Sequence, residues 1–429
     1  MKDNSVKLSK QIPWQSTNPS LFGYVQAIGP NFLELGELAE LKALLGESFL
    51  ITAGYKESSQ YQFKGSLLFS GGSYVLQIND EQKLSLDALL GQVRKAQHIA
   101  ICRDQDVESS DRYSGFERFD FCPDALPELD YSDINSQSSF LGRSFSYPIF
   151  ITGMTGGVEQ GADINKNLAL AAQALNIPMG IGSQRIALED PKLARIFRVK
   201  QHAPELFLLG NIGGAQLTGK DALDLCKRVV EMIDADALAI HLNAAQEMVQ
   251  SEGNREFKGI ADNIAAICQH LSVPVVVKEV GAGLSAKTLQ RLINLGVKAF
   301  DCAGRGGTSW TWVEALRSKD ETTRRLGATF RNWGIPTAHS LIEIRKDFKD
   351  IDLIATGGIR NGLEVAKAVA LGANMVGIGL PLFKKALISV EETEKELFIL
   401  TRELKTAMLL TGSRQIKDLA MSLVPRYGS

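Results

Sequence analysis

The chain has 429 residues, more than one compact domain of ordinary size but enough for a closed α/β barrel of roughly 250 residues plus a smaller domain. Apolar residues make up 45% and support a large core, while 47 basic and 49 acidic side chains leave a net charge of −2. So balanced a charge gives no field that would recruit nucleic acid or an anionic membrane. The first twenty residues hold no apolar run, which argues against a secretory signal, and no stretch approaches the roughly 20 apolar residues that span a bilayer. The five cysteines, Cys102, Cys122, Cys226, Cys268 and Cys302, form no CxxC pair. They read as free thiols, small buried hydrophobes in a reducing cytoplasm.

In chain order, residues 1–90 form a small α+β extension. A helix is predicted over 32–45, and the runs 61–69 and 73–78 form a β-hairpin across Ser70-Gly71-Gly72. No function is legible in this extension. Residues 91–147 connect it to the rest. They contain Arg94-Lys95-Ala96-Gln97-His98, three potentially cationic groups in one short stretch. With Arg185 these could clamp a phosphate group; alone, a solvated basic turn is the simpler reading.

From 148 to 429 short apolar runs alternate with amphipathic stretches. The runs are 148–154, 178–183, 206–211, 237–242, 274–278, 299–302, 353–357 and 375–379. Continuous apolar runs this short suit parallel strands buried on both faces. Between them, 163–175, 223–233 and 365–371 carry helical periodicity. Eight βα units predict a (β/α)₈ barrel, with an open doubly wound sheet as the alternative. Residues 303–336 break the spacing with Gly-rich turns and three tryptophans, Trp310, Trp312 and Trp333, and read as a lid.

Polar residues stand at nearly every strand end, which in a barrel marks an active site. Thr356-Gly357-Gly358-Ile359-Arg360 follows run seven, and Gly377-Ile378-Gly379-Leu380 follows run eight. Loops at these two positions commonly hold a phosphate on backbone N–H groups, and Arg360 would add charge. Tight turns alone would also use such glycines. Thr152-Gly153-Met154-Thr155 after run one would contact a flat ring. Ser183-Gln184-Arg185, Asn211 and Thr308 close the second, third and sixth units. Lys278, ending Val275-Val276-Val277-Lys278, would point into the mouth and stabilise negative charge, as on a reduced flavin. His241 and Asn243 share one face of an extended segment, with Gln246 and Glu247 in the turn beyond. A lone histidine here would be a hydrogen-bonded core residue. One carboxylate such as Glu247, with waters and substrate phosphate oxygens, would hold Mg²⁺. No HxxxH or Cys/His spacing supports zinc.

Together these motifs resemble the type 2 isopentenyl-diphosphate isomerases, which are FMN-dependent. The matching strings are Arg94-Lys95 with His98, Leu126-Pro127-Glu128, Met154-Thr155-Gly156-Gly157, Gly182-Ser183-Gln184-Arg185, His241-Leu242-Asn243 with Gln246-Glu247, Lys278-Glu279-Val280-Gly281, Gly306-Gly307-Thr308-Ser309-Trp310, Trp333-Gly334-Ile335-Pro336-Thr337, Gly357 to Gly362, and Leu371-Gly372-Ala373. They run in order over about residues 91–425. The resemblance implies FMN contacts at Gly153, Met154, Thr155, Ser183, Asn211, Lys278, Thr308, Gly358, Ile359, Arg360, Gly379 and Leu380. It implies a substrate diphosphate at Arg94, Lys95, His98, Ser183, Gln184 and Arg185, a pocket lined by His241, Asn243 and Gln246, and Mg²⁺ at Glu247. The family interconverts isopentenyl and dimethylallyl diphosphate with no net redox change. It uses reduced FMN, NADPH as the usual reductant, and a homotetrameric assembly.

An isolated alkene is a very weak base, and no obvious carboxylate pair in the motifs fits both proton transfers. Reduced FMN itself is therefore the expected acid–base group, supported by Lys278, His241 and Gln246. The sequence departs from the family in two places: Gln97 stands where an acidic residue usually precedes the histidine, and residues 1–90 precede the family's usual start. The runner-up is an FMN-dependent 2-hydroxy acid oxidoreductase, with residues 1–90 as an interaction or regulatory module. Such an enzyme needs a histidine base after run six, where this chain has Ala303-Gly304-Arg305-Gly306-Gly307. A nucleotide-oxidising barrel would need a loop cysteine there, and Cys302 falls within the strand.

Overall fold

The computed structural model describes residues 48–55, 59–70, 73–77 and 83–426. The helix expected over 32–45 lies outside them. Eight parallel strands close a barrel: β1 (Ile149–Ile151), β2 (Met179–Gly180), β3 (Leu208–Gly213), β4 (Ala237–His241), β5 (Val275–Lys278), β6 (Ala299–Asp301), β7 (Asp352–Thr356) and β8 (Met375–Ile378). Each pairs with its successor, and β8 returns to β1 through Val376 opposite Ile149. The (β/α)₈ barrel stands, and closure excludes the doubly wound sheet. Helices cover the strands, among them Glu159–Ala174, Ala222–Ile233 and Gly362–Ala370, where helical periodicity placed them.

Alternation along the strands divides the core. Phe150, Leu209, Ala237, Ala239, Val276, Ala299, Ile354 and Met375 fill the barrel's interior as one cluster, while residues such as Ile149, Ile151, Leu238, Val277 and Phe300 pack with the helices. Because side chains repeat every second residue, the next inward positions are Thr152, Asn211, His241, Lys278, Asp301, Thr356 and Gly377. The interior therefore turns from apolar to polar within one step at the C-terminal ends of the strands.

Ahead of the barrel, strands Ser48–Tyr55, Ser59–Ser70, Ser73–Gln77 and Lys83–Ser85 form an antiparallel sheet. The expected hairpin is present, with Leu67 opposite Leu76. The last strand runs directly into a helix, Leu86–Asp104, which crosses residue 90 without a break. The basic stretch 94–98 is thus not a solvated turn. Four-residue spacing sets Arg94 and His98 on one helix face, with Lys95 beside them.

The expected lid over 303–336 is not a bare loop. It carries two helices, Trp310–Arg317 and Glu321–Thr329. The first buries Thr311, Val313, Glu314 and Ala315 and packs against Leu86–Asp104 and Ala244–Val249. Its N-terminus is tied to the pre-barrel chain by Ser309 N–H donating to Val107 O at 2.8 Å. All five cysteines are free; Cys102, Cys226 and Cys302 are buried, Cys268 is half-buried, and Cys122, against expectation, is exposed. Among the described residues no helix is long and apolar enough to cross a membrane.

Candidate active site

A cavity of about 530 Å³ opens over the C-terminal ends of the strands, with helix Leu86–Asp104 along one side. The sequence-derived candidates Arg94, Lys95, His98, Gly153, Met154, Thr155, Ser183, Arg185, Asn211, His241, Asn243, Gln246, Glu247, Lys278, Thr308, Gly358, Ile359, Arg360, Gly379 and Leu380 all line it. Gln184 does not. Its fully buried side chain accepts from Asn211 N–H and donates to Val229 O, each at 2.9 Å, and so braces β3 instead of facing a ligand.

The wall formed by the loops after β1, β6, β7 and β8 is backbone. A Cβ on Gly153 would overlap Ile181 O, one on Gly357 would overlap Gly304 O, and one on Gly307 would lie 2.7 Å from Gly358 N. Gly357 and Gly358 also hold φ of +116° and +77°, which L side chains rarely adopt. The result is a cradle of bare main chain suited to a phosphate and a flat ring, and the Thr356 hydroxyl that lines it completes no hydrogen bond of full geometry. These features fit FMN. Arg360 contributes less than expected. Its Nη2 pairs with Glu108, its Nη1 donates to Ile359 O at 2.9 Å, and its backbone N–H donates to Glu364 at 2.7 Å. Its charge is already matched, so an anion here would rely on the remaining backbone N–H groups.

The floor is the inward polar layer. Asn211 Nδ2 donates to Ile181 O at 2.8 Å, so its Oδ1 must be the acceptor toward His241 Nδ1, also at 2.8 Å. This fixes the proton on Nδ1 and leaves Nε2 an acceptor. Burial pulls His241 down to about 3, helped by the cations of Lys278 and Lys95, so the ring is neutral. Lys278 Nζ donates to Glu279 O at 2.9 Å. Burial lowers its affinity for a proton, while Asp301 and then Glu279 oppose that. Glu279 itself is raised by burial and is turned onto the N–H groups of Val280 and Gly281 at 2.6 and 2.7 Å.

The opposite wall is charged. Arg94, Lys95 and Arg185 converge there, and Lys95 is brought down to about 8, first by desolvation and then by the Arg94 guanidinium. Behind them lies a buried residue with no mark in the motifs, Glu314. One oxygen accepts from Gln246 Nε2 at 2.8 Å and meets His98 Nε2 at 3.0 Å; the other accepts from Arg317 Nε at 2.8 Å. Arg317 continues to Glu252 at 2.6 Å, which reaches Arg94 at 3.7 Å. Gln250, with its amide turned to suit both neighbours, donates to Glu314 at 3.2 Å and accepts from Arg94 at 2.9 Å. Glu314 thus supplies a carboxylate to His98 from 216 residues away, where the helix itself has Gln97. Its carboxyl is held well below the usual range by His98 and Arg317 despite the cost of burial. Gln216, which no motif marks, also lines the cavity, as does Trp310 of the segment 303–336, edge-on to His98 at 5.2 Å.

Glu247 is buried at the cavity edge. Its Oε1 accepts from Asn243 Nδ2 at 3.0 Å and its Oε2 from Asn254 N–H at 2.7 Å. No group of three or more His, Cys, Asp or Glu among the described residues is arranged to hold a metal. A cation at Glu247 would need oxygens from water and substrate.

A (β/α)₈ barrel with a glycine cradle at four strand ends and a buried lysine at a fifth defines an FMN-type barrel enzyme. Residues 217–426 match the family model of FMN-dependent dehydrogenases. Solved structures agree on the fold: a mandelate oxidase variant with (S)-mandelic acid (TM-score 0.53, 18% identity, 80% of this chain and 98% of that one) and a flavocytochrome b2 variant with benzoylformate (0.57, 18%, 79% and 85%). Identities this low speak to fold alone. Curated relatives are far closer in sequence. The isopentenyl-diphosphate delta-isomerase of Nostoc sp. is 42% identical over 336 residues, 78% of this chain and 96% of the relative. Those of Rickettsia rickettsii and Pseudescherichia vulneris are each 45% identical over 76% of this chain, covering 95% and 94% of their own length. The chain belongs to the type 2, FMN-dependent isopentenyl-diphosphate delta-isomerase family.

Proposed function

We propose that the chain interconverts isopentenyl and dimethylallyl diphosphate with reduced FMN, using NADPH as reductant and Mg²⁺ at Glu247, as a cytoplasmic homotetramer. The observation that carries the substrate reading is the cluster of Arg94, Lys95 and Arg185 on one wall. Burial and then the Arg94 guanidinium drive Lys95 toward neutrality, and a diphosphate would offset both.

Gly153, Met154, Thr155, Asn211, Thr308 and the Gly358-Ile359 and Gly379-Leu380 segments would hold FMN, with Lys278 as the cation that offsets negative charge on its reduced form. When bound, reduced FMN supplies the group that gives and takes the proton. The chain's own carboxylates are engaged elsewhere: Glu189 holds Arg185 at 2.8 Å, Glu252 and Glu314 hold Arg317, and Glu247 accepts from Asn243 and Asn254. Arg94, Lys95, His98, Ser183 and Arg185 fix the diphosphate and thereby place the alkene over the floor. Neutral His241 presents its Nε2 lone pair without adding a charge that would draw the diphosphate inward. Gln246, locked onto Glu314, excludes water from the hydrocarbon end.

The test is direct. Purified protein should show flavin absorbance and, given isopentenyl diphosphate, Mg²⁺ and NADPH without oxygen, form dimethylallyl diphosphate. No product from reduced, flavin-loaded protein refutes the reading. Glu247→Gln should cut Mg²⁺-dependent turnover while leaving FMN bound; loss of FMN in that variant would contradict the role given to Glu247.

A further inference from the structure

One ionisable group of the polar floor has no task in this scheme. Asp301 ends β6, one step above Ala299 on the barrel's inner face, and is 1% exposed. Its Oδ1 accepts from Ala303 N–H at 3.1 Å, a bond made possible by the left-handed turn at Ala303, φ +37°. Neither its Oδ2 nor the Thr356 hydroxyl on the neighbouring strand completes a hydrogen bond of full geometry, although the hydroxyl lies close enough to steady the carboxylate. In the sheet register Asp301 stands opposite Lys278. A buried oxygen without a complete hydrogen bond costs stability, and the turn at Ala303 adds strain, so the residue is held in place against both costs.

We propose that Asp301 is the redox-linked proton acceptor of the flavin site: negative charge placed over Lys278 by reduction of the flavin is balanced by protonation of Asp301 Oδ2. The proposal rests on the FMN reading above and concerns how that site holds the reduced cofactor. Two electrons and one proton take oxidised flavin to its reduced anion; a second proton goes to Asp301, giving two protons per two electrons. The electrons come from a nicotinamide in the proposed cycle and from dithionite in the test.

The charges around Asp301 favour this. On β5, Lys278 is the one cation acting on it, while Glu279 is turned away onto backbone N–H groups. On β7 it meets the Thr356 hydroxyl, and on its own strand the un-ionised Cys302 thiol, pushed up to about 12 by burial. Burial has already pushed the Asp301 carboxyl up to about 6 against the pull of Lys278. Once Lys278 is shared with a reduced flavin, that pull weakens. A rise of about one unit then brings the group to half-protonation at neutral pH, and any further rise completes it. Thr356 can turn its lone pairs to the new acid proton, which completes a hydrogen bond for both oxygens at once.

The experiment uses flavin-loaded protein. Midpoint potentials are measured across the neutral pH range for the native chain and for Asp301→Asn, which keeps the shape and removes the charge. The native potential should fall with pH about twice as steeply as that of the variant, two protons against one per electron pair. The variant's potential should also be the more positive at neutral pH. Reduced-minus-oxidised infrared spectra of the native protein should gain a carboxylic-acid C=O stretch that the variant lacks, and this reading survives if the variant folds poorly. Equal slopes overturn the proposal, as does a native spectrum with no such band, or a band that persists in the variant. In each of these cases FMN is bound, so the FMN reading stands. A protein that binds no flavin overturns both.

Discussion

The two walls of the cavity are built by opposite means. The wall from β1, β6, β7 and β8 is main chain, shaped by Gly153, Gly307, Gly357, Gly358 and Gly379, and close backbone packing sets its form. The wall from helix Leu86–Asp104, the loop after β2 and helix Trp310–Arg317 is charge, and every member leans on another. A backbone wall suits a cofactor that stays, since its shape is fixed before anything binds. A charged wall suits a substrate that must arrive and leave, since Lys95 within it is held short of its preferred charged state. The same difference predicts how each fails: the first by local steric change, the second by collapse of a network.

The network should break hardest. Glu314→Ala leaves Arg317 and His98 without their buried partner, and removal of one member of a buried ion pair costs about 3–5 kcal/mol. Denaturant unfolding should show that loss, with Glu314→Gln losing less because it still accepts a hydrogen bond. A loss below about 1 kcal/mol, typical of exposed pairs, would mean the wall is not a network at all. On the other wall Gly153→Ala drives a methyl group into Ile181 O. Overpacking of this kind costs about 1–3 kcal/mol, so the barrel should persist while flavin content, read by absorbance after purification, falls away. Full flavin content in that variant would show that the cradle tolerates side chains.

The same division explains what the sequence could disclose. All eight strands were legible because a strand buried on both faces is a short apolar run, and β5, Val275–Lys278, shows both the run and the polar residue that ends it. The glycine-lined wall was legible because glycine requirements are local. Glu314 was not, because nothing near it in the chain marks it; it reads as one more charged residue of the helix Trp310–Arg317, and only folding brings it to His98. Gln184 misled in the opposite sense: it sits inside a recognisable string, yet the tight β2 exit turns it outward to Val229. The resemblance starts near residue 91 and so sets the stretch 94–98 apart from what precedes it, whereas the helix that carries it begins at Leu86.

If the walls are separable, Lys95→Gln should weaken substrate and spare the cofactor. A hydrogen bond to a charged group is worth about 1.5–3 kcal/mol, so affinity for the diphosphate should drop roughly ten- to a hundredfold at unchanged flavin content. A parallel loss of FMN would show that the walls are coupled.

The smallest effect is the most specific, and it lies in the pH profile of Lys95. Its folded value is about 8 against 10.5 for the unperturbed side chain. Between these values the unfolded chain carries a proton that the folded chain has lost, so this group makes the empty protein more stable as pH rises through that window; below pH 8 both states are charged and the penalty of burying the ammonium is fully present. Substrate binding runs the other way. Below pH 8 the ammonium is in place to meet the diphosphate, whereas above it the site must take up a proton to bind. Apparent affinity for inorganic pyrophosphate should therefore fall by up to about tenfold per unit above pH 8, while the melting temperature of the empty protein drifts upward relative to Lys95→Gln. The Lys95→Gln protein should show neither trend. An alkaline loss of affinity that survives the substitution belongs to another cation of that wall, and the account of Lys95 as its weakly protonated member would be wrong.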